Sequence, residues 1–190
     1  HIPFGEIGSD IVPRGHAFIK MHGLRNDFII VDGRRQPFRP SVAEIVRHCD
    51  RREGVGGDEL LIIEPPKASS ANAAALVRIF NPDGREVEAC GNATRCAGWL
   101  LLEEGKRDEV VIETLGGLLR CRRAGDRMVA VDMGKVRTGW QDIPLARQMD
   151  TLHMQIGAGP LKDPVGMSIG NPHAVFFVAD LNRIDLSKWG

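Results

Sequence analysis

The sequence predicts an α+β domain with a largely antiparallel sheet. Apolar runs along the chain are mostly of strand length, few stretches carry helical spacing, and the connections are short and rich in turn residues. From Phe18 onward the chain is strand-rich. Phe28-Ile29-Ile30-Val31 is an apolar run closed by the turn pair Asp32-Gly33. Ser41-Val42-Ala43-Glu44 has the form of a capping box, a serine at the N-cap with a glutamate three residues on. Val42, Ile45, Val46 and Cys49 follow at helical spacing, which puts Cys49 on the buried stripe of an amphipathic helix and makes core packing its simplest role. Leu60 to Ile63 is a second buried strand stopped by Pro65-Pro66, Ala68 to Ala74 is a loop of small residues, and Ala75 to Phe80 returns to strand. Asn81-Pro82-Asp83-Gly84 has turn composition. A helix is expected over Ala93 to Glu104 with Gly105 as its C-cap. Strands follow at Val110 to Glu113, Leu118 to Arg123 and Met128 to Met133; alternation in the middle one puts Leu119 and Cys121 on the core face, with Arg120 and Arg122 opposite. After Gly134 the character repeats weakly, loop-like from Gly139 to Leu161 with a last strand over Ala174 to Val178. The expected organisation is a linker-like extension over residues 1–16, where Ile11-Val12-Pro13-Arg14-Gly15 resembles a protease-cleavable linker, a first domain over 17–134, and over 135–190 the start of a second domain that looks truncated.

Composition narrows the function classes. The 190 residues are 43% hydrophobic and 26% charged, an ordinary globular balance able to bury a sizeable core. With 25 basic residues against 25 acidic, there is no basic excess to attract nucleic acid or an anionic membrane surface. Clusters such as Arg51-Arg52 and Arg120 to Arg123 read as solvated faces. No apolar run approaches the roughly 20 residues that cross a bilayer. The four cysteines (Cys49, Cys90, Cys96, Cys121), with no secretory signal visible, are expected to be free thiols in a reducing, cytoplasmic setting.

The chemistry is concentrated in Phe80 to Cys96. Cys90 precedes a glycine at the start of the expected helix, where unpaired backbone N–H groups and the helix dipole would lower a thiol's pKa. The same N–H groups, from about Gly91 to Ala93, offer an anion site suited to a carboxylate, and Gly91 leaves room for close approach. A basic thiolate beside a bound carboxylate is what removal of a proton next to that carboxylate requires. The plainer reading is that Cys90 packs at a helix start. Cys90 and Cys96 are six residues apart and do not face one another, and no CxxC or histidine spacing accompanies them, which argues against zinc. Cys96 lies in an apolar run and reads as buried. Asn92-Ala93-Thr94 matches a glycosylation sequon, which carries no weight without a secretory signal.

Four ordered segments resemble the diaminopimelate epimerase family. Cys90-Gly91-Asn92, with Phe80 to Gly84 before it and Arg95-Cys96 after it, is similar to the first catalytic-cysteine motif. Phe18 to Phe28 resembles the opening strand and substrate loop, Gly54 to Leu61 a second loop, and Ser168 to His173 the entry to the second half. The resemblance implies two pseudo-symmetric domains, each a sheet curled around a central helix, with substrate in the cleft between them. It implies cofactor-independent conversion of LL- to meso-diaminopimelate in lysine and peptidoglycan precursor biosynthesis, with one cysteine from each domain acting as acid and base. Cys90 would be one of these, with His173 beside the thiols tuning their protonation. Asn26, Glu59, Asn81 and Asn171 would contact the amino acid, and Gly91 and Asn92 its α-carboxylate. No cofactor or metal is implied, and the assembly would be a homodimer. Each assignment has a structural alternative: Asn81 and Asn171, both before proline, suit turns, and His173 suits a strand entry.

Two departures bear on function. Glu59 stands where the family commonly has glutamine, and Arg25 where glycine commonly precedes the asparagine, so Arg25 is a candidate to compensate the charge of Glu59. A second cysteine motif is not among the 190 residues, and Cys49, Cys96 and Cys121 all lie in core patterns. The competing functions are a racemase of another amino acid on the same scaffold and a non-catalytic amino-acid-binding domain.

Overall fold

The computed structural model describes residues 15–70 and 72–189, so most of the linker-like segment lies outside the described residues. Its end does not: the His16 ring lies 4.7 Å from that of Phe38, and Nε2 meets the Pro37 carbonyl at 3.1 Å, so contacts with the fold begin one residue before the expected boundary.

Strands β1 (Phe18–Gly23), β2 (Asn26–Asp32), β3 (Glu59–Glu64), β4 (Ala75–Phe80), β6 (Glu109–Thr114), β7 (Gly117–Gly125) and β8 (Met128–Asp132) form one sheet in the order β1-β2-β3-β4-β6-β7-β8, and the short β5 (Glu86–Val87) pairs with β4. Most pairings are antiparallel. The exceptions, β2–β3 and β4–β6, are parallel because a helix intervenes in each connection: α1 (Val42–Cys49) in the first and α2 (Gly91–Gly105) in the second. Helix α2 touches both edge strands, β1 and β8, as well as strands between them, so the sheet curls around it.

The strand sequences show why. Phe28, Ile30, Leu61, Ile63, Ala75, Val77 and Ile79 point to the α2 side, where they meet Ala93, Cys96, Ala97, Leu101 and Leu102. Their neighbours Ile29, Leu60, Ile62 and Phe80 point the other way, onto Ile45 and Cys49 of α1. A strand covered on both faces needs an unbroken apolar run, and β2 and β3 have one. In β7 only the inner face is buried: Leu119 and Cys121 are buried while Arg120 and Arg122 are exposed. The small residues of α2 let it sit close to the sheet; a Cβ on Gly98 would stand 3.1 Å from both Cβ and Sγ of Cys121.

Local signals set the helix ends. Ser41 and Glu44 form the reciprocal capping box of α1. Helix α2 begins at Gly91, two residues before the expected start, and it ends on Lys106 in the left-handed region (φ 47°, ψ 49°) instead of on a Gly105 cap. Residues after Gly134 are built from two small hairpins, β9 (Gly157–Ala158) with β10 (Leu161–Lys162) and β11 (Val165–Ser168) with β12 (Pro172–Val175). The last strand starts and stops earlier than the apolar run Ala174 to Val178 implied, because its antiparallel partner β11 runs only from Val165, opposite Val175, to Ser168, opposite Pro172. Gly166 passes close to the buried Ile143 and Met154.

Candidate functional site

Three chain ends meet at one point: the N-terminus of α2 and the opening residues of β2 and β3. The tight hairpin Leu24-Arg25, both residues at positive φ (54° and 71°), pairs Gly23 with Asn26 and so puts Asn26 at the tip. Gly23 permits the approach of the helix, since a Cβ there would stand 3.3 Å from the Asn92 carbonyl oxygen.

Cys90 is the N-cap of α2, in extended conformation and with no side-chain capping bond. Its carbonyl accepts both the amide (2.8 Å) and the hydroxyl (2.9 Å) of the buried Thr94. This leaves the thiol free to face the ends of β2 and β3. Burial outweighs the helix amides, although these do pull the thiol pKa down, as the sequence suggests. Burial pushes it up, the Ala93 and Asn92 amides pull it down, and the Glu59 carboxylate pushes it up again, leaving it at about 11. A helix end returns only about 0.3–1 kcal/mol to an anion, and removing a thiolate from water costs more. The resting group is a neutral thiol.

Glu59 opens β3 beside that thiol. Burial holds its carboxyl above the usual carboxylate range, as does the charge of Asp58, while a hydrogen bond with Cys90 works against them. Its Oε2 is buried with no hydrogen-bond partner among the described residues. The compensation expected from Arg25 is not there: Arg25 is exposed in the hairpin turn, and no ion pair among the described residues joins it to Glu59.

Asn26 reaches Cys90 from the β2 side, with Oδ1 3.9 Å from Sγ. The same oxygen accepts from Asn92 Nδ2 at 3.3 Å, and Asn26 Nδ2 donates to Asp58 Oδ2 at 3.0 Å. Behind them lies an ionic cluster: Lys20 with Asp27 (2.8 Å), and Arg51 with Asp27 (2.6 Å) and Asp58 (2.8 Å). Arg51 is exposed, as a solvated face implies, and is also held in these ion pairs. The Arg51 guanidinium, followed in weight by opposing burial and then Lys20, leaves Asp27 well below the usual carboxylate range.

The structure thus brings Asn26, Glu59, Cys90, Gly91 and Asn92 together. Asn81 directly follows Phe80, the partner of Leu60, and so lies at the same sheet end as Glu59, while Asn171 and His173 sit at the β11–β12 hairpin. Asn81 opens the turn after β4, its amide donating to the Arg85 carbonyl at 2.9 Å. Asn171 Oδ1 lies 2.9 Å from His173 Nε2, and His173 is exposed. Their hairpin does abut the site: a Cβ on Gly170 would stand 3.4 Å from the Ala89 Cβ. Asp27, Asp58, Arg51 and Arg95 were missed, although Asn92 and Arg95 at i and i+3 of a helix are a recognisable pair.

The curled sheet belongs to a fold class that includes amino-acid racemases and epimerases. It is similar to a hydroxyproline epimerase from Agrobacterium vitis (TM-score 0.60, 20% identity, 88% of this chain and 53% of that one). It is also similar to a probable proline racemase from Agrobacterium radiobacter K84 (TM-score 0.62, 19% identity, 88% and 53%). Within that class, residues 18–139 match the family model of diaminopimelate epimerase, and the chain belongs to this family. It is 49% identical over 173 residues to the diaminopimelate epimerase of Rhodospirillum centenum, covering 91% of this chain and 59% of the relative. To that of Phenylobacterium zucineum it is 45% identical over 173 residues, covering 89% and 61%. The chain thus spans about three-fifths of the length of these relatives.

Proposed function

We propose that the protein is part of an enzyme that epimerises LL-diaminopimelate to meso-diaminopimelate without a cofactor, and that Cys90 is one of its two acid/base groups. The observation that carries this is the placement of the Cys90 thiol at the mouth of α2, between helix amides and the Asn26 amide. In this reading the amides from Gly91 onward, with Asn92, hold the α-carboxylate, where each well-placed donor contributes about 3–4 kcal/mol as charge develops. The Cα–H bond breaks, its electrons remain on the α-carbon, and the proton passes to one sulfur while an opposite thiol protonates the other face. A positioned acid/base group adds roughly 10²–10⁴-fold. The neutral resting state of Cys90 suits it to the donor role first. Cys49, Cys96 and Cys121 are buried in the core, so the opposing base is supplied from outside these residues.

Asn26, Glu59, Asn81 and Asn171 belong to the same reading as substrate contacts, and His173 as a group near the thiols; Asn171 and His173, at the β11–β12 hairpin, would join the site on closure around substrate. Residues 17–134 form the first domain and 135–190 the start of the second. A cytoplasmic homodimer is proposed on family membership.

With the full-length protein in deuterated water, diaminopimelate should gain deuterium at its α-carbon, and Cys90→Ala should abolish the gain. Exchange retained in Cys90→Ala removes Cys90 from the mechanism. Glu59, an acid beside the thiol, favours a second reading, a racemase of a different amino acid; loss of optical activity across a panel of amino acids separates the two.

A further inference from the structure

An asparagine side chain presents an oxygen and an NH₂ group of nearly equal shape, so its neighbours decide which faces where. At this site both ends of the decision are made by charged groups that admit one answer. Asp58 is an acceptor: Oδ2 takes Asn26 Nδ2 (3.0 Å) and the Asp27 amide (2.9 Å), while Oδ1 takes Arg51 (2.8 Å). Arg95 is a donor, and it donates to Asn92 Oδ1. Asn92 must then turn its NH₂ to Asn26 Oδ1, and Asn26 must turn that oxygen toward Asn92 and the Cys90 sulfur. Hydrogen bonds run in toward the Asp58 carboxylate from both sides, starting at Arg51 and at Arg95.

We propose that Asp58 and Arg95 are positioning residues that lock the Asn26 amide with its oxygen toward Cys90. The locked oxygen is an acceptor, so it holds the S–H of the resting thiol and, resting on the epimerase reading above, selects an ammonium group on the substrate. Stability does not explain the arrangement, since the Asp58 and Arg51 side chains are 42% and 57% exposed and such pairs stabilise little.

The test is the pH profile of Cys90 alkylation by iodoacetamide, followed by peptide mass spectrometry on the full-length protein. In Asp58→Asn the new amide can offer either an oxygen or an NH₂, so Asn26 is free to turn its NH₂ to the sulfur and stabilise the thiolate. Alkylation at pH 8 should rise about tenfold and its midpoint should fall. Asp27→Asn removes the same charge from the same strand end without touching the Asn26 side chain, and should alkylate like the wild type. An unchanged profile in Asp58→Asn, or equal acceleration in Asp27→Asn, overturns the lock. Arg95→Met alone leaves Asp58 holding Asn26 and should alkylate like the wild type, while added to Asp58→Asn it should raise the rate further. If Asp58→Asn does not fold, Asp58→Ser tests the same release, acceleration supporting the lock and an unchanged profile overturning it. Alkylation reads the thiol whether or not the protein turns over an amino acid. Failure of the epimerase reading would instead appear as no deuterium gain with the lock intact.

Discussion

Glu59 is the residue whose surroundings fit its charge least well. One carboxylate oxygen is sealed from water without a partner, and Asp58 adds like charge. An amide has no charge to desolvate and keeps the same shape, so Glu59→Gln should relieve both. The sign with pH follows from the direction of the shift. Its pKa is raised by folding, so below the unfolded value both states are protonated and there is no penalty. As pH rises from the unfolded value toward the folded one, the unfolded chain ionises and the native state does not, so stability is lost, and the loss is complete once pH has passed the folded value. Urea midpoints should therefore separate as pH rises: Glu59→Gln and wild type are close in the acid range, and the variant is more stable by about 1 kcal/mol near neutrality. A gap that stays constant from acid to neutral pH would assign the difference to packing and not to ionisation. The same substitution removes one of the groups that raise the Cys90 pKa, so its thiol should react faster at a given pH.

Among the elements, the ends of the two main helices give opposite predictions. The capping box of α1 satisfies two backbone donors, and Ser41→Ala should cost about 1 kcal/mol. The left-handed residue after α2 is Lys106, whose Cβ makes that conformation costly; Lys106→Gly should add about 0.5–1 kcal/mol despite a looser unfolded chain. Thermal unfolding checks both signs in one series. These ends also show what could be read in advance. The α1 box and the alternation in β7 are carried by residues adjacent or a few positions apart, and both were legible. The start of α2 was not, because its N-cap is Cys90, which makes no capping bond and so leaves no Ser, Asp or Asn signal. Gly105 drew the expected cap to itself, although the chain turns left-handed one residue later. In the site, Cys90 to Asn92 could be found because they are contiguous. Asp58 could not: its bond to Asn26 spans 32 residues, and that of Asn92 to Asn26 spans 66, with no local pattern to mark either. The rise in the Cys90 pKa was hidden for the same reason, since it depends on burial and on Glu59 from another strand.

At the scale of the molecule, the curl of the sheet and the interior helix are one object. Helix α2 meets β1 at one edge, β8 at the other and strands between, so weakening its packing should loosen both edges together. The continuous apolar runs of β2 and β3 announced burial on both faces, yet nothing local in the sequence said that one helix would be enclosed by the whole sheet; that follows from pairings between strands far apart. Gly98 is the place to test the coupling. A Cβ there already stands 3.1 Å from Cys121, and the branched side chain of Gly98→Val would have to displace β7, at a cost of about 1–3 kcal/mol from overpacking. Leu102, fully buried further along α2, should cost about 2–5 kcal/mol when cut to alanine. Both variants should show a single unfolding transition at lower denaturant. Hydrogen exchange should speed up in β1 and β8 alike, although only β7 and its neighbours touch the substituted Gly98, while the β11–β12 hairpin changes less. Faster exchange confined to β7 and β8 in Gly98→Val would mean that the sheet keeps its curl without the helix, and that the Cys90 site rests on β2 and β3 more than on α2.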